Sequence, residues 1–122
     1  MGLRVLIVDD ALFMRNMLKE VFLKAGHEVI GEAADGLEAV EQYRQLHPDL
    51  VTMDIVMPRK SGIEALLDIR KEHPDACIVM CSAMGQESLI LEAVQAGARD
   101  FIVKPFKEDK VLEVVRRIAG QA

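Results

Sequence analysis

Two hydrophobic rhythms alternate along the chain. Five short runs are apolar with little alternation, at residues 3–8, 28–32, 50–53, 77–81 and 101–103. Four of them are rich in Val and Ile. Such runs predict strands covered on both faces. Between them the spacing of apolar residues becomes helical. Met14, Met17, Leu18, Val21 and Phe22 mark one stripe; Leu37, Val40, Tyr43 and Leu46 mark the next. Ile63, Leu66, Leu67 and Ile69 form a third, and Leu89, Ile90, Ala93 and Val94 a fourth. Val111, Leu112, Val115 and Ile118 form the last.

The punctuation agrees with this division. Asp35-Gly36-Leu37-Glu38 and Ser61-Gly62-Ile63-Glu64 fit capping boxes at helix starts. Gly26 and Gly97 follow helical stripes, where a terminating glycine belongs. His47-Pro48-Asp49 and His73-Pro74-Asp75 each end a helix before the next strand. Strand and helix therefore alternate five times. That pattern predicts a doubly wound α/β fold, a five-stranded parallel sheet with five helices on its two faces. Right-handed crossovers leave few topologies for it.

At 122 residues the chain has the length of one domain, read as residues 1–122 with no output domain. Any output would then come from this domain's own surface. Hydrophobic residues make up 51% and charged residues 29%, a globular composition. The net charge of −5 argues against nucleic acid or an anionic membrane surface as the main partner. No apolar run approaches the roughly 20 residues of a membrane span, and the N-terminal run is too short for a signal peptide. The expected compartment is the cytoplasm. Cys77 and Cys81, if both lie on one strand, stand about 13 Å apart. A disulfide allows no more than about 7 Å, so both are read as buried thiols. His27, His47 and His73 have no metal-ligand spacing.

In an open parallel sheet, chemistry collects at the carboxyl ends of the strands. Asp9 and Asp10 follow the first run, Asp54 the third, Ser82 the fourth and Lys104 the fifth. If the strand order is 2-1-3-4-5, these groups share one rim. Three carboxylates and one ammonium leave a charge of −2. A hard divalent cation with oxygen ligands, Mg²⁺ for preference, would neutralise it. The set looks like a phosphoryl clamp around a carboxylate nucleophile.

Val8-Asp9-Asp10, Met53-Asp54-Ile55-Val56-Met57-Pro58 with Gly62, Ser82-Ala83 and Lys104-Pro105-Phe106 resemble the receiver domain of two-component response regulators. Ala11-Leu12-Phe13-Met14-Arg15 and Ser82-Ala83-Met84-Gly85-Gln86 bring it closest to the stand-alone chemotaxis regulators. The resemblance covers essentially the whole chain and implies the 2-1-3-4-5 order of a flavodoxin-like fold. It implies that Asp54 accepts a phosphoryl group from a histidine kinase. Asp10, Asp54 and the Val56 carbonyl would bind Mg²⁺ directly, and Asp9 through water. Lys104 would bridge from the acids to a phosphoryl oxygen, and Ser82 would turn inward to that oxygen. Phe101 would be the switch aromatic; it has no hydroxyl, where this position is often Tyr. The chain would be a regulator with self-catalysed phosphoryl transfer and dephosphorylation, not an enzyme on other substrates. Its partners would be the kinase, a flagellar motor switch protein or another target, and a phosphatase, with the chain itself a monomer.

Other readings share the architecture. The chain could relay phosphoryl groups as an intermediate or serve another pathway. A Mg²⁺-dependent phosphatase with an aspartyl nucleophile would want Asp-x-Asp after the first strand, whereas Asp9 and Asp10 are adjacent. A nucleotide or flavin module would want a glycine-rich phosphate loop there, and none follows Val8.

Overall fold

The structure is a computed structural model that describes residues 2–121. Strands β1 (Arg4–Val8), β2 (Glu28–Ala33), β3 (Leu50–Asp54), β4 (Ile78–Ser82) and β5 (Asp100–Val103) alternate with helices. The helices are α1 (Leu12–Lys24), α2 (Gly36–Leu46), α3 (Gly62–Glu72), α4 (Glu87–Gln95) and α5 (Glu108–Gln121). The strands form one parallel sheet in the order β2-β1-β3-β4-β5. Observed strand ends lie within one residue of those expected.

Alternate residues of the central strands feed two cores. Leu6, Val8, Val51, Met53, Ile78 and Met80 pack with Val40, Tyr43, Leu66, Ile69 and Ala93 of α2, α3 and α4. Val5, Ile7, Leu50, Val79 and Cys81 pack with Leu18 and Phe22 of α1 and Val111, Val115 and Ile118 of α5. At about 1.5–3 kcal/mol per buried aliphatic side chain, these two layers dominate stability.

The expectation of two-sided cover holds for the central strands and fails at the edges. β1, β3 and β4 are buried almost throughout, whereas β2 is half-buried. On β5 only Ile102 is buried; Phe101 and Val103 are each 41% exposed. An edge strand has a neighbour on one side only, so its helical cover is incomplete. Leu37, Leu67 and Val94, placed on helical stripes, also turn out exposed: each follows a buried residue, Gly36, Leu66 or Ala93, and one residue turns the helix by about 100°. Cys77 is another correction: it precedes β4 and is only half-buried, while Cys81 is buried and both are free.

The second capping box is complete, with Ser61 and Glu64 each taking the other's backbone N–H. The first is not. Asp35 accepts the Glu38 N–H at 2.9 Å, but Glu38 accepts the Ala34 N–H at 3.1 Å, one residue early. Gly26 and Gly97 do end their helices in left-handed backbone, with φ of 87° and 107°.

Candidate functional site

The carboxyl ends of β1, β3, β4 and β5 meet because of the strand order. Asp9 leaves β1 with its side chain 1% exposed. One carboxylate oxygen accepts the Ala11 N–H at 2.9 Å, which secures the start of α1 where Ala11 has no capping side chain. The other lies 2.8 Å from Lys104 Nζ. The same ammonium stands 3.2 Å from Asp54 Oδ2. Carboxylate oxygens of Asp9, Asp10 and Asp54 all fall within 4.8 Å of one another. Asp9 and Asp54 are buried and Asp10 is exposed, so the cluster opens to solvent on one side. Lys104 is carried in by β5 and followed by a cis peptide to Pro105.

Each charge is tuned by its neighbours. Burial pushes the Asp54 carboxyl above its ordinary range, and the Asp9 and Asp10 carboxylates push the same way; Lys104 pulls against them. Burial disfavours the Lys104 ammonium, yet Asp9 and Asp54 outweigh it and hold its pKa above the usual lysine value. The site thus retains its lysine charge while resisting a full set of carboxylates. Oxygen donors in this number, with a net charge of −2, fit a hard dication such as Mg²⁺.

Ser82 closes β4 and is wholly buried. Its Oγ has no hydrogen-bond partner among the described residues. A buried hydroxyl left so costs about 1–3 kcal/mol, which an incoming anionic oxygen would remove. The Ser82 carbonyl accepts the Lys104 N–H at 2.7 Å, so the hydroxyl-bearing and ammonium-bearing residues are tied through backbone. Val56 and Met84 stand exposed near this rim, at 55% and 80%. Phe101 faces solvent beside Met84 and Val103.

Three residues that matter to this geometry are given no role of their own in the sequence reading, although Arg15 and Gln86 stand in the motifs that carry the resemblance. Arg15 donates to the Asp9 carbonyl at 2.7 Å and to Glu32 at 3.0 Å. It pins the β1–α1 turn from behind. Arg59 donates from Nε to Asp35 Oδ2 at 2.8 Å. That fastens the loop after Asp54 to the start of α2. Gln86 accepts the Ala83 N–H at 2.7 Å, shaping the turn after Ser82. An available signal was Glu32, a charge within the second strand, which calls for cationic partners and finds Arg15 and Lys19.

A doubly wound sheet with an acidic triad, a bridging lysine and a buried hydroxyl on one rim defines a phosphoryl-responsive class, and the chain belongs to the response regulator receiver domain family, whose model matches residues 5–116. Membership makes it a phosphorylation-activated signalling regulator. It is 57% identical over 119 residues to the chemotaxis protein CheY of Thermotoga maritima, covering 98% of this chain and 99% of that one. Identity to the chemotaxis protein CheY of Bacillus subtilis is 56% over 117 residues, covering 96% and 98%. The crystal structure of the CheX-CheY-BeF3-Mg²⁺ complex from Borrelia burgdorferi matches with a TM-score of 0.90 at 41% identity, over 94% of this chain and 87% of that one.

Proposed function

We propose that the chain works in the cytoplasm as a monomeric chemotaxis switch, loaded at Asp54 by a histidine kinase and read by a protein target. The observation that carries this reading is the Lys104 ammonium between Asp9 and Asp54, at 2.8 and 3.2 Å, inside the acidic cluster.

An Asp54 carboxylate oxygen would attack the phosphorus of a phosphohistidine. A new O–P bond forms, the N–P bond breaks, and the departing imidazole keeps the electron pair and takes a proton. Lys104 would shift its hydrogen bond from Asp54 to a phosphoryl oxygen, with Asp9 keeping its own contact to the same ammonium, 2.8 Å in this structure. Ser82 Oγ would donate to another phosphoryl oxygen. Asp10, Asp54 and the Val56 carbonyl, with Asp9 behind them, would hold Mg²⁺, which would supply charge neutralisation of the phosphoryl oxygens. Hydrolysis of the acyl phosphate would be the chain's only other reaction.

Movement of Ser82 toward the phosphoryl group would draw the turn after β4 with it, and Phe101 would turn inward behind it. Met84, Phe101 and Val103 share an open groove between β5 and α5, about 590 Å³ in volume, with Lys104, Lys107, Lys110 and Arg117 along it against two acids, Asp100 and Glu113. Apolar floor and basic wall suit a target segment with an apolar anchor and acidic flanks, such as a flagellar motor switch protein would have to present. A phosphatase would dock near the open side of the acidic cluster.

Acetyl phosphate with Mg²⁺ should add one phosphoryl group to the wild type by intact mass and none to Asp54→Ala. Beryllofluoride should likewise shift backbone resonances near Ser82 and Phe101 only in the wild type. Equal loading of the two proteins would remove the proposal.

A further inference from the structure

Arg15 stands where helix electrostatics disfavour it. It is the fourth residue of α1, and a helical side chain leans back toward the amino end of its helix. That end carries a partial positive charge, which repels cations. α1 has no acidic residue in its first turn to soften this, and Ala11 offers no capping side chain. The guanidinium is held there all the same, its side chain only 16% exposed. Two of its nitrogens have separate acceptors. Nη1 donates to the Asp9 carbonyl at 2.7 Å and Nε to Glu32 Oε1 at 3.0 Å. The other Glu32 oxygen meets Lys19 Nζ at 2.7 Å. Lys19 first, and Arg15 after it, hold the Glu32 carboxyl below its ordinary range against burial.

The Asp9 carbonyl belongs to the peptide that carries Asp10. That unit is planar, so fixing its oxygen fixes the plane from which the Asp10 Cα departs. Its upstream end is held too, since the Asp9 N–H donates to the Ala33 carbonyl at 3.0 Å. The other two carboxylates of the acidic cluster, Asp9 and Asp54, share the Lys104 ammonium. Asp10 is exposed, and among the described residues no hydrogen bond or ion pair holds its carboxylate. Its place in the cluster therefore depends on its backbone, and Arg15 is the side chain that secures that backbone.

We propose that Arg15 is a positioning residue for the metal: tethered by Glu32 of β2, it sets the Asp9–Asp10 peptide and so aims the Asp10 carboxylate at the dication. This rests on the Mg²⁺ reading of the acidic cluster. Groups that orient a metal's ligands commonly change its affinity by about tenfold or more when removed. Glu32 has a second effect, because it balances a cation that would otherwise stand behind the cluster and oppose the metal.

The test is a Mg²⁺ titration of the full chain, followed through backbone amide resonances at a temperature where the variants are folded. Arg15→Lys keeps the charge and loses the planar fork that spans the two acceptors. Its affinity should be about tenfold weaker than that of the wild type. Glu32→Ala alters neither α1 nor β1 in sequence and removes the tether; it should weaken binding threefold or more. A purely structural Arg15 would lower Tm in both variants and leave the Mg²⁺ affinity of the folded chain where it was. Affinity within twofold of the wild type in Arg15→Lys, or in Glu32→Ala should Arg15→Lys fail to fold, would overturn the proposal. Coupling to Asp10 gives a second readout. In an Asp10→Asn background, Arg15→Lys should change the residual affinity less than twofold, because the carboxylate being aimed is gone. As large a loss there as in the wild-type background would also overturn it. A wild type that takes up no Mg²⁺ would remove the reading of the acidic cluster and this inference with it. A wild type that binds, with variants that match it, would remove this inference alone.

Discussion

Asp54 carries a charge that its surroundings resist. Its pKa is raised by burial first, then by Asp9 and Asp10. A carboxyl with a higher pKa in the folded state binds a proton there at pH values where the unfolded chain has lost it. Stability therefore falls as pH rises from the unfolded value, about 3.9, through the folded one. Above that window the ionised Asp54 is a standing cost. Asp54→Asn should stabilise the protein at pH 7 by about 1–2 kcal/mol in urea unfolding, an advantage that shrinks as pH falls toward 4. A less stable Asp54→Asn at pH 7 would contradict this account. Mg²⁺ at a hundred times its Kd should stabilise the wild type by about 2.7 kcal/mol and do much less for the Asn variant. Similar gains in both would mean that Asp54 is not a ligand.

At the scale of elements, the loop from Ile55 to Ser61 decides where Asp54 points. Its two ends are packed without slack. A Cβ on Gly62 would lie 2.0 Å from the Asp54 carbonyl oxygen, and one on Gly36 would lie 2.3 Å from that of Lys60. The Gly62 N–H reaches the Ile55 carbonyl at 2.8 Å and the Gly36 N–H reaches Lys60 at 3.0 Å. Between them Arg59 takes a left-handed backbone, φ 66°, and holds buried Asp35. Gly62→Ala should therefore displace the Asp54 backbone and slow acetyl-phosphate loading at least tenfold, and an Ala variant that loads normally would show the loop to be tolerant.

Asp35 gives the same element a pH signature. Burial pushes its pKa up, but the Glu38 N–H and Arg59 outweigh burial and leave it below the ordinary range. Its contribution is thus present above the unfolded pKa and is lost as pH falls through the folded one. Arg59→Ala should lower stability at pH 7, and the deficit should shrink as pH falls below the ordinary carboxylate range. A constant deficit across that range would assign the loss to packing. None of this was legible in the chain's pattern. The capping-box motif marked Asp35 as a cap, which it is, but its pairing with Arg59 joins segments 24 residues apart. Patterns of period two or 3.6 report neighbours along a strand or helix and are blind to such pairs. The acidic cluster, in contrast, was readable because parallel topology sends every strand end to one rim. Phe101 and Val103 were misread as covered because a run of three apolar residues does not say that its strand is the last in the sheet.

Across the whole molecule, the sheet divides one core from the other and also separates the two cysteines by fate. Cys81 is wholly buried in the α1–α5 layer, and its partner across β3 and β4 is Asp54 itself. Burial, by far the leading cause, drives its thiol far above the ordinary cysteine range. Cys77, half-buried before β4, is raised more modestly by burial, with Arg99 opposing. Burial denies reagents access to Cys81 and its high pKa denies them a thiolate, so only opening of the central strands can expose it. A thiol reagent at pH 8 should therefore label Cys77 first and Cys81 at a rate set by unfolding. Ligands that bind only the folded chain lower the open population by the factor 1 + [L]/Kd. Mg²⁺ at a hundred times its Kd should slow Cys81 labelling about a hundredfold if labelling follows the open population. Cys77 should be little affected, because local fraying suffices to expose it. Equal protection of the two thiols would mean that the strand ends and the sheet centre open together. Protection of neither would detach the acidic rim from the stability of the sheet that carries it.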